Sequence, residues 1–144
     1  MKIPNRIGRV KFRSAGSTAT SFAGLRFVFE LAEKLGVMAR LRGVTVKKRR
    51  RGIPIEDFVM SLASSFLVGG DSLSDLAVLR EESVTRDLCF GLEVPAPTTA
   101  GERLRSFSLG HIRQLDRAHR ETCREILERT SGSEALTLDV DSSI

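Results

Sequence analysis

Acidic residues are nearly absent from the first third of this chain. Residues 1–51 hold only Glu30 and Glu33 against fourteen Lys and Arg. The remaining residues reverse the balance, with nine Lys and Arg against sixteen Asp and Glu. A basic arm on an acidic body excludes little by itself, but it points to a polyanionic partner, nucleic acid before membrane. Long apolar runs are missing too. No stretch of eighteen apolar residues exists, so no membrane span is expected. The N-terminus carries no apolar h-region, so no signal peptide is expected, and the reading is cytoplasmic. Cysteine and histidine are scarce: Cys89, Cys123, His111 and His119 are all there are. They form no Cys/His cluster, which argues against a structural zinc. The two cysteines read as reduced packing residues, with a disulfide between them as the other reading.

What is present is a globular composition in 144 residues, 41% hydrophobic and 28% charged, the size of one ordinary domain. Residues 1–16 mix Lys2, Arg6, Arg9, Lys11 and Arg13 with Ile7, Val10 and Phe12, a basic arm or weak strand. Leu25, Val28, Phe29, Ala32 and Leu35 then follow helical spacing, with Ser21 as the expected N-cap and Gly36 as the stop. A short helix over Met38 to Leu41 is expected next. Pro54, with Glu56 and Asp57 behind it, suits a helix start. The stripe Ile55, Phe58, Val59, Leu62, Phe66 and Leu67 predicts the strongest core helix, stopped by Gly69 and Gly70. Short helices over Leu73, Leu76, Leu79 and over Val84, Leu88, Cys89 follow, capped by Asp71 or Ser72 and by Ser83. A proline-containing linker, 91–97, leads to a helix ending at Phe107, with Leu104 and Phe107 on its apolar side. The last helix is expected from Ser108 to Arg129, with Leu109, Ile112, Leu115, Cys123, Ile126 and Leu127 buried.

Two stretches carry candidate chemistry. Lys47, Lys48, Arg49, Arg50 and Arg51 are five consecutive cations that face either water or phosphates. Phosphate contacts of this kind position a protein on DNA without reading sequence. Arg103 and Arg105, off the apolar side of their helix, are second-choice DNA contacts. The other stretch is 135–144, ALTLDVDSSI, which alternates. Leu136, Leu138 and Val140 fall on one side of an extended chain, and Thr137, Asp139 and Asp141 on the other. Two carboxylates roughly 6.5–7 Å apart on a strand can begin a divalent-metal site or can be a solvated surface pair.

Three segments in order resemble a group of bacterial insertion-sequence transposases of the DDE class. They are 63–79 with the overlapping GGDSLSDLAVLR of 69–80, then PAPTTAGERLRSFSLGHIRQLD at 95–116, then LTLDVDSSI at 136–144. The resemblance covers the chain from about residue 21. It implies a mainly α fold, a helical N-terminal transposase region followed by the first strand of a truncated RNase H-like α/β catalytic domain. The implied divisions are a basic arm at 1–16, a helical DNA-binding region at 17–133 and the start of the catalytic domain at 134–144. It implies Asp141 as the first catalytic, metal-binding acid and Asp139 as the second candidate. The family often has Asp-Thr after the motif acid, where this chain has Ser142 and Ser143. The family's other two acids would lie beyond Ile144. Strand transfer clamps attacking and leaving oxygens between two metals. The full-length family would use Mg²⁺ or Mn²⁺, and this chain is expected to bind neither stably and to be inactive alone. The expected partner is duplex DNA at transposon ends, with self-association through the C-terminal strand, and no membrane or small-molecule substrate. Two other classes stand beside this one. The first is a stand-alone helical DNA-binding protein without enzymatic activity. The second is a helical interaction domain without nucleic acid, against which the charge split argues.

Overall fold

A computed structural model of the chain describes residues 20–45 and 52–130. The first helix, α1 (Leu25–Lys34), buries Leu25, Phe29 and Ala32, one turn apart along a single side. Its entry is a turn over 21–24 with Gly24, not Ser21, at the N-cap. Gly36 ends it at φ +70°, a left-handed conformation that glycine adopts without the Cβ penalty. That sharp reversal starts α2 (Val37–Arg42) at once, and Met38 and Leu41 turn inward against α1.

Pro54 sits before α3 (Ile55–Leu67), with Glu56 and Asp57 in the first turn where the helix N-terminus favours negative charge. This helix divides two apolar clusters. Met60 joins Leu25, Phe29, Met38, Leu41, Leu79 and Cys89 on one side. Ile55 and Phe58 join Val44, Leu76 and Ala100 on the other. Its rotation differs from the expected stripe. Phe66 and Leu67 are exposed, while Ser61, Ser64 and Ser65 point inward. The inner face near the C-terminal end is thus built from small side chains that let neighbouring backbone approach.

Gly69, at φ +93°, ends α3. Ser72 and Asp75 then form a reciprocal capping box around a short 3-10 turn, Leu73–Asp75. The turn runs into α4 (Leu76–Glu81), whose Leu76 and Leu79 are fully buried. In α5 (Ser83–Leu88) the inward residue is Thr85. Glu82 accepts from the hydroxyls of both Thr85 and Thr20, tying this corner to the start of the described chain. Cys89 follows in the core, where burial pushes its thiol up to about 11, the nearby Arg26 opposing. Leu92 and Pro95 stay buried as the chain crosses to α6 (Pro97–Arg105), which has Pro97 at its first position and Ala100 against the core. The last and longest described helix is α7 (Leu109–Thr130).

The expected fold class is corrected. The described residues are all-α, with no strand among them. A strand must bond its backbone along a neighbouring edge, and no described element offers one. The expected strands near 7–13 and 135–141 both lie outside the described residues. Among the described residues an RNase H-like α/β start therefore finds no sheet, and those residues are an assembly of helices. Among the described residues no helix is long and apolar enough to cross a membrane.

Candidate nucleic-acid interface

The candidate surface is built on α7. One side of this helix docks on the body: Ala118 is buried there and Leu115 packs against both clusters. Arg40 of α2 reaches Glu125 at 3.3 Å and Glu121 at 3.8 Å, and it also donates to the carbonyl of Leu35. Glu125 gains a second cation from its own helix. The hydrogen bond and charge of Arg129, aided by Arg40, hold the Glu125 carboxyl below its ordinary range.

Next to this docked side runs a ridge of four arginines. Arg113, Arg117, Arg120 and Arg124 recur at intervals of four, three and four, which places them along one side of the helix for roughly 16 Å. All four are exposed. Arg120 pairs with Asp116 one turn earlier. Among the described residues, Arg113, Arg117 and Arg124 make no ion pair. Glu121, one turn from both Arg117 and Arg124, is turned toward Arg40.

The chain leaving α2 is bonded to this helix. The Thr45 N–H donates to Gln114 Oε1 at 2.8 Å, between Arg113 and Arg117 in sequence. The cationic run begins two residues later. Where the chain returns, the Ile53 carbonyl accepts from Arg103 of α6. Both flanks of the run are therefore held, one by α7 and the other by α6. Lys47, Lys48, Arg49, Arg50 and Arg51 themselves lie outside the described residues, as do Asp139 and Asp141.

Arg103 and Arg105 have different surroundings. Arg103 lies over the ring of Phe58 and is half-buried, whereas Arg105 is exposed. The expected apolar residue of this helix, Leu104, is exposed instead. Among the described residues no group of three or more His, Cys, Asp or Glu is placed to hold a metal ion. A depression of about 360 Å³ lies between Ile53, Leu79, Arg80, Arg86, Leu92, Glu93 and Val94. Its polar lining is one carboxylate, Glu93, and two guanidinium groups, Arg80 and Arg86.

Sequence reasoning missed the arginine ridge, although its spacing is written there. Five adjacent cations draw attention more readily than four spread over three turns.

No protein-family model, no curated protein and no solved structure matches this chain. The transposase resemblance thus rests on the quoted motifs alone, and packing accounts for much of two of them. In GGDSLSDLAVLR, Gly69 and Gly70 turn the chain, Ser72 and Asp75 cap, and Leu76 and Leu79 fill the core. In the 95–116 segment, Pro95 and Ala100 are core and Arg103 covers Phe58. The DDE and RNase H-like description is withdrawn, since no family comparison supports it and the described chain holds no strand.

Proposed function

We propose that this chain is a helical, cytoplasmic DNA-binding protein that holds duplex DNA by its phosphates. The observation that carries the reading is the exposed ridge of Arg113, Arg117 and Arg124, unpaired among the described residues, beside the bond from Thr45 to Gln114. That bond anchors Thr45 on α7 beside the ridge, and in sequence the 47–51 cations follow two residues later. Guanidinium groups bind phosphate oxygens with paired donors, and a rigid helix keeps their spacing. Contacts of this kind give affinity and position, and they leave base sequence unread. No metal or cofactor enters the reading. A narrower form, in which the DNA is a transposon end, rests only on the sequence motifs.

The test is anisotropy of a labelled duplex titrated over a range of salt. Wild-type binding should weaken linearly in log affinity against log salt. The triple variant Arg113→Ala, Arg117→Ala, Arg124→Ala should flatten that slope by about 0.9 for each phosphate it no longer neutralises. Circular dichroism checks that the variant still folds. A folded triple variant with unchanged affinity and slope would overturn the assignment of the ridge.

A further inference from the structure

A second face of α7 presents apolar side chains to solvent, and its polar members bond within the helix, Asp116 to Arg120 and His119 to Cys123. Leu109 is 74% exposed, Ile112 53% and Ile126 39%. With Asp116, His119 and Cys123 they recur at intervals of three, four, three, four and three. That is the seam spacing of a two-stranded coiled coil. The seam lies about a third of a turn from the side holding Leu115 and Ala118, so docking on the body leaves it open.

The seam is complementary to itself in one direction. Laid antiparallel on a second copy, with the two-fold axis between Arg117 and Ala118, Leu109 meets the other copy's Ile126. Ile112 then meets Cys123, and Asp116 meets His119. The seam's one carboxylate thereby faces its one imidazole, twice. A parallel pairing in register would set Asp116 against Asp116 and His119 against His119 instead. A polar pair inside an apolar seam fixes register at some cost in stability. Two-fold interfaces require this property, that each residue's partner finds the same match in return.

We propose that this face of α7 binds a second copy of the chain as an antiparallel helix pair. In that arrangement the arginine ridges of both copies run along the same side of the pair, and the two bodies lie on the other. The inference stands on the exposed seam and on the Asp116–His119 match of the antiparallel register, and it is independent of whether the ridge binds DNA.

Sedimentation velocity of the full chain, without DNA, should show a concentration-dependent dimer. Ile112→Asp should weaken association at least about tenfold, the effect expected when an aliphatic side chain no longer fills a buried seam. Asp116→Lys should also weaken it, and adding His119→Asp should restore it, because the antiparallel register sets the exchanged charges opposite each other across the two copies, whereas a parallel pairing in register sets like against like. Under oxidising conditions Ile112→Cys should give a disulfide-linked dimer through the other copy's Cys123, and Cys123→Ser should abolish that link. Circular dichroism establishes that each variant is folded. A wild-type chain that stays monomeric at every concentration would overturn the proposal. So would a dimer indifferent to Ile112→Asp, or a link at position 112 that survives Cys123→Ser.

Discussion

Arg103 stands over the ring of Phe58, its guanidinium carbon 4.7 Å from the ring centre, while its fork donates to the carbonyl of Ile53. Phe58 in turn stacks with Phe107 at 6.0 Å, and Phe107 meets the edge of His111 at 5.7 Å. One side chain thus joins α6, α3 and the segment entering α3. Burial pushes the guanidinium below its ordinary pKa, with Glu56 acting against that shift. Arg103→Ala removes a cation–π contact and a charged hydrogen bond together, and it should destabilise the chain by about 1–3 kcal/mol. Arg105→Ala, on the exposed side, should stay within about 0.5 kcal/mol. Urea denaturation of the two variants compares them directly. An Arg103→Ala as mild as Arg105→Ala would refute the structural role.

Some helix ends were legible in this sequence because they depend on local chemistry, although the caps expected at Ser21 and Ser83 fall to Gly24 and Glu82. Gly36 stops α1 through its backbone freedom, and Ser72 with Asp75 announces a capped turn, whatever lies nearby. The direction each face takes was less legible, because it depends on which neighbour comes close. A stripe drawn through Phe66 and Leu67 sets α3 at the wrong rotation. The inward positions are Ser61, Ser64 and Ser65, polar by type but small enough for close packing. The apolar side of α7 misled for another reason. Periodicity marks a face that wants covering, without saying whether the cover is this chain. Leu109 and Ile112 were expected to be core and are exposed. The alternation at 136–141 shows what a strand could bury and not what it would pair with, and no described element offers that pairing.

Acid should act on this fold through opposing carboxylates. Asp75 accepts from the Ser72 hydroxyl at 2.8 Å and from the N–H groups of Ser72 and Asp71. These bonds hold its carboxyl below the ordinary value. A carboxyl lowered by folding contributes stability that is fully present above its unfolded pKa and is lost as pH falls through the folded one. Glu125 behaves in the same way through Arg129 and Arg40. Asp57 runs opposite. Burial raises its carboxyl despite a bond from the Glu93 N–H, so folding favours its protonated form as pH falls. Urea midpoints measured from neutral pH down through the carboxylate range should therefore decline on the acid side. Asp75→Asn should flatten that decline, and Asp57→Asn should raise stability at neutral pH. An Asp75→Asn variant with an unchanged acid limb would show that the capping box contributes nothing to it.

The inner face of α3 sets the last test. Ser61 satisfies its hydroxyl by donating to the Asp57 carbonyl at 2.7 Å, whereas the buried hydroxyls of Ser64 and Ser65 have no partner among the described residues. A buried hydroxyl left unbonded loses its hydration without recompense. Ser64→Ala keeps the shape and removes the orphan, so it should stabilise the chain by about 1 kcal/mol. Enlarging the same position, as in Ser64→Val, should instead cost about 1–3 kcal/mol, because the closely packed neighbours must move. Gly70 supplies the matching steric test. A methyl group there would stand 2.6 Å from Ser65 Oγ, 2.9 Å from the Ser65 carbonyl oxygen and 3.0 Å from Asp75 Cβ. The hydroxyl can rotate away, but the carbonyl belongs to the last turn of α3 and accepts the Gly70 N–H at 2.8 Å. Gly70→Ala should therefore destabilise the chain, and removing the hydroxyl with Ser65→Ala should recover only part of the loss. Thermal melts of the single and double variants read this out. Complete recovery in the double variant would place the clash at the hydroxyl alone, and a Gly70→Ala that melts with wild type would deny the close approach altogether.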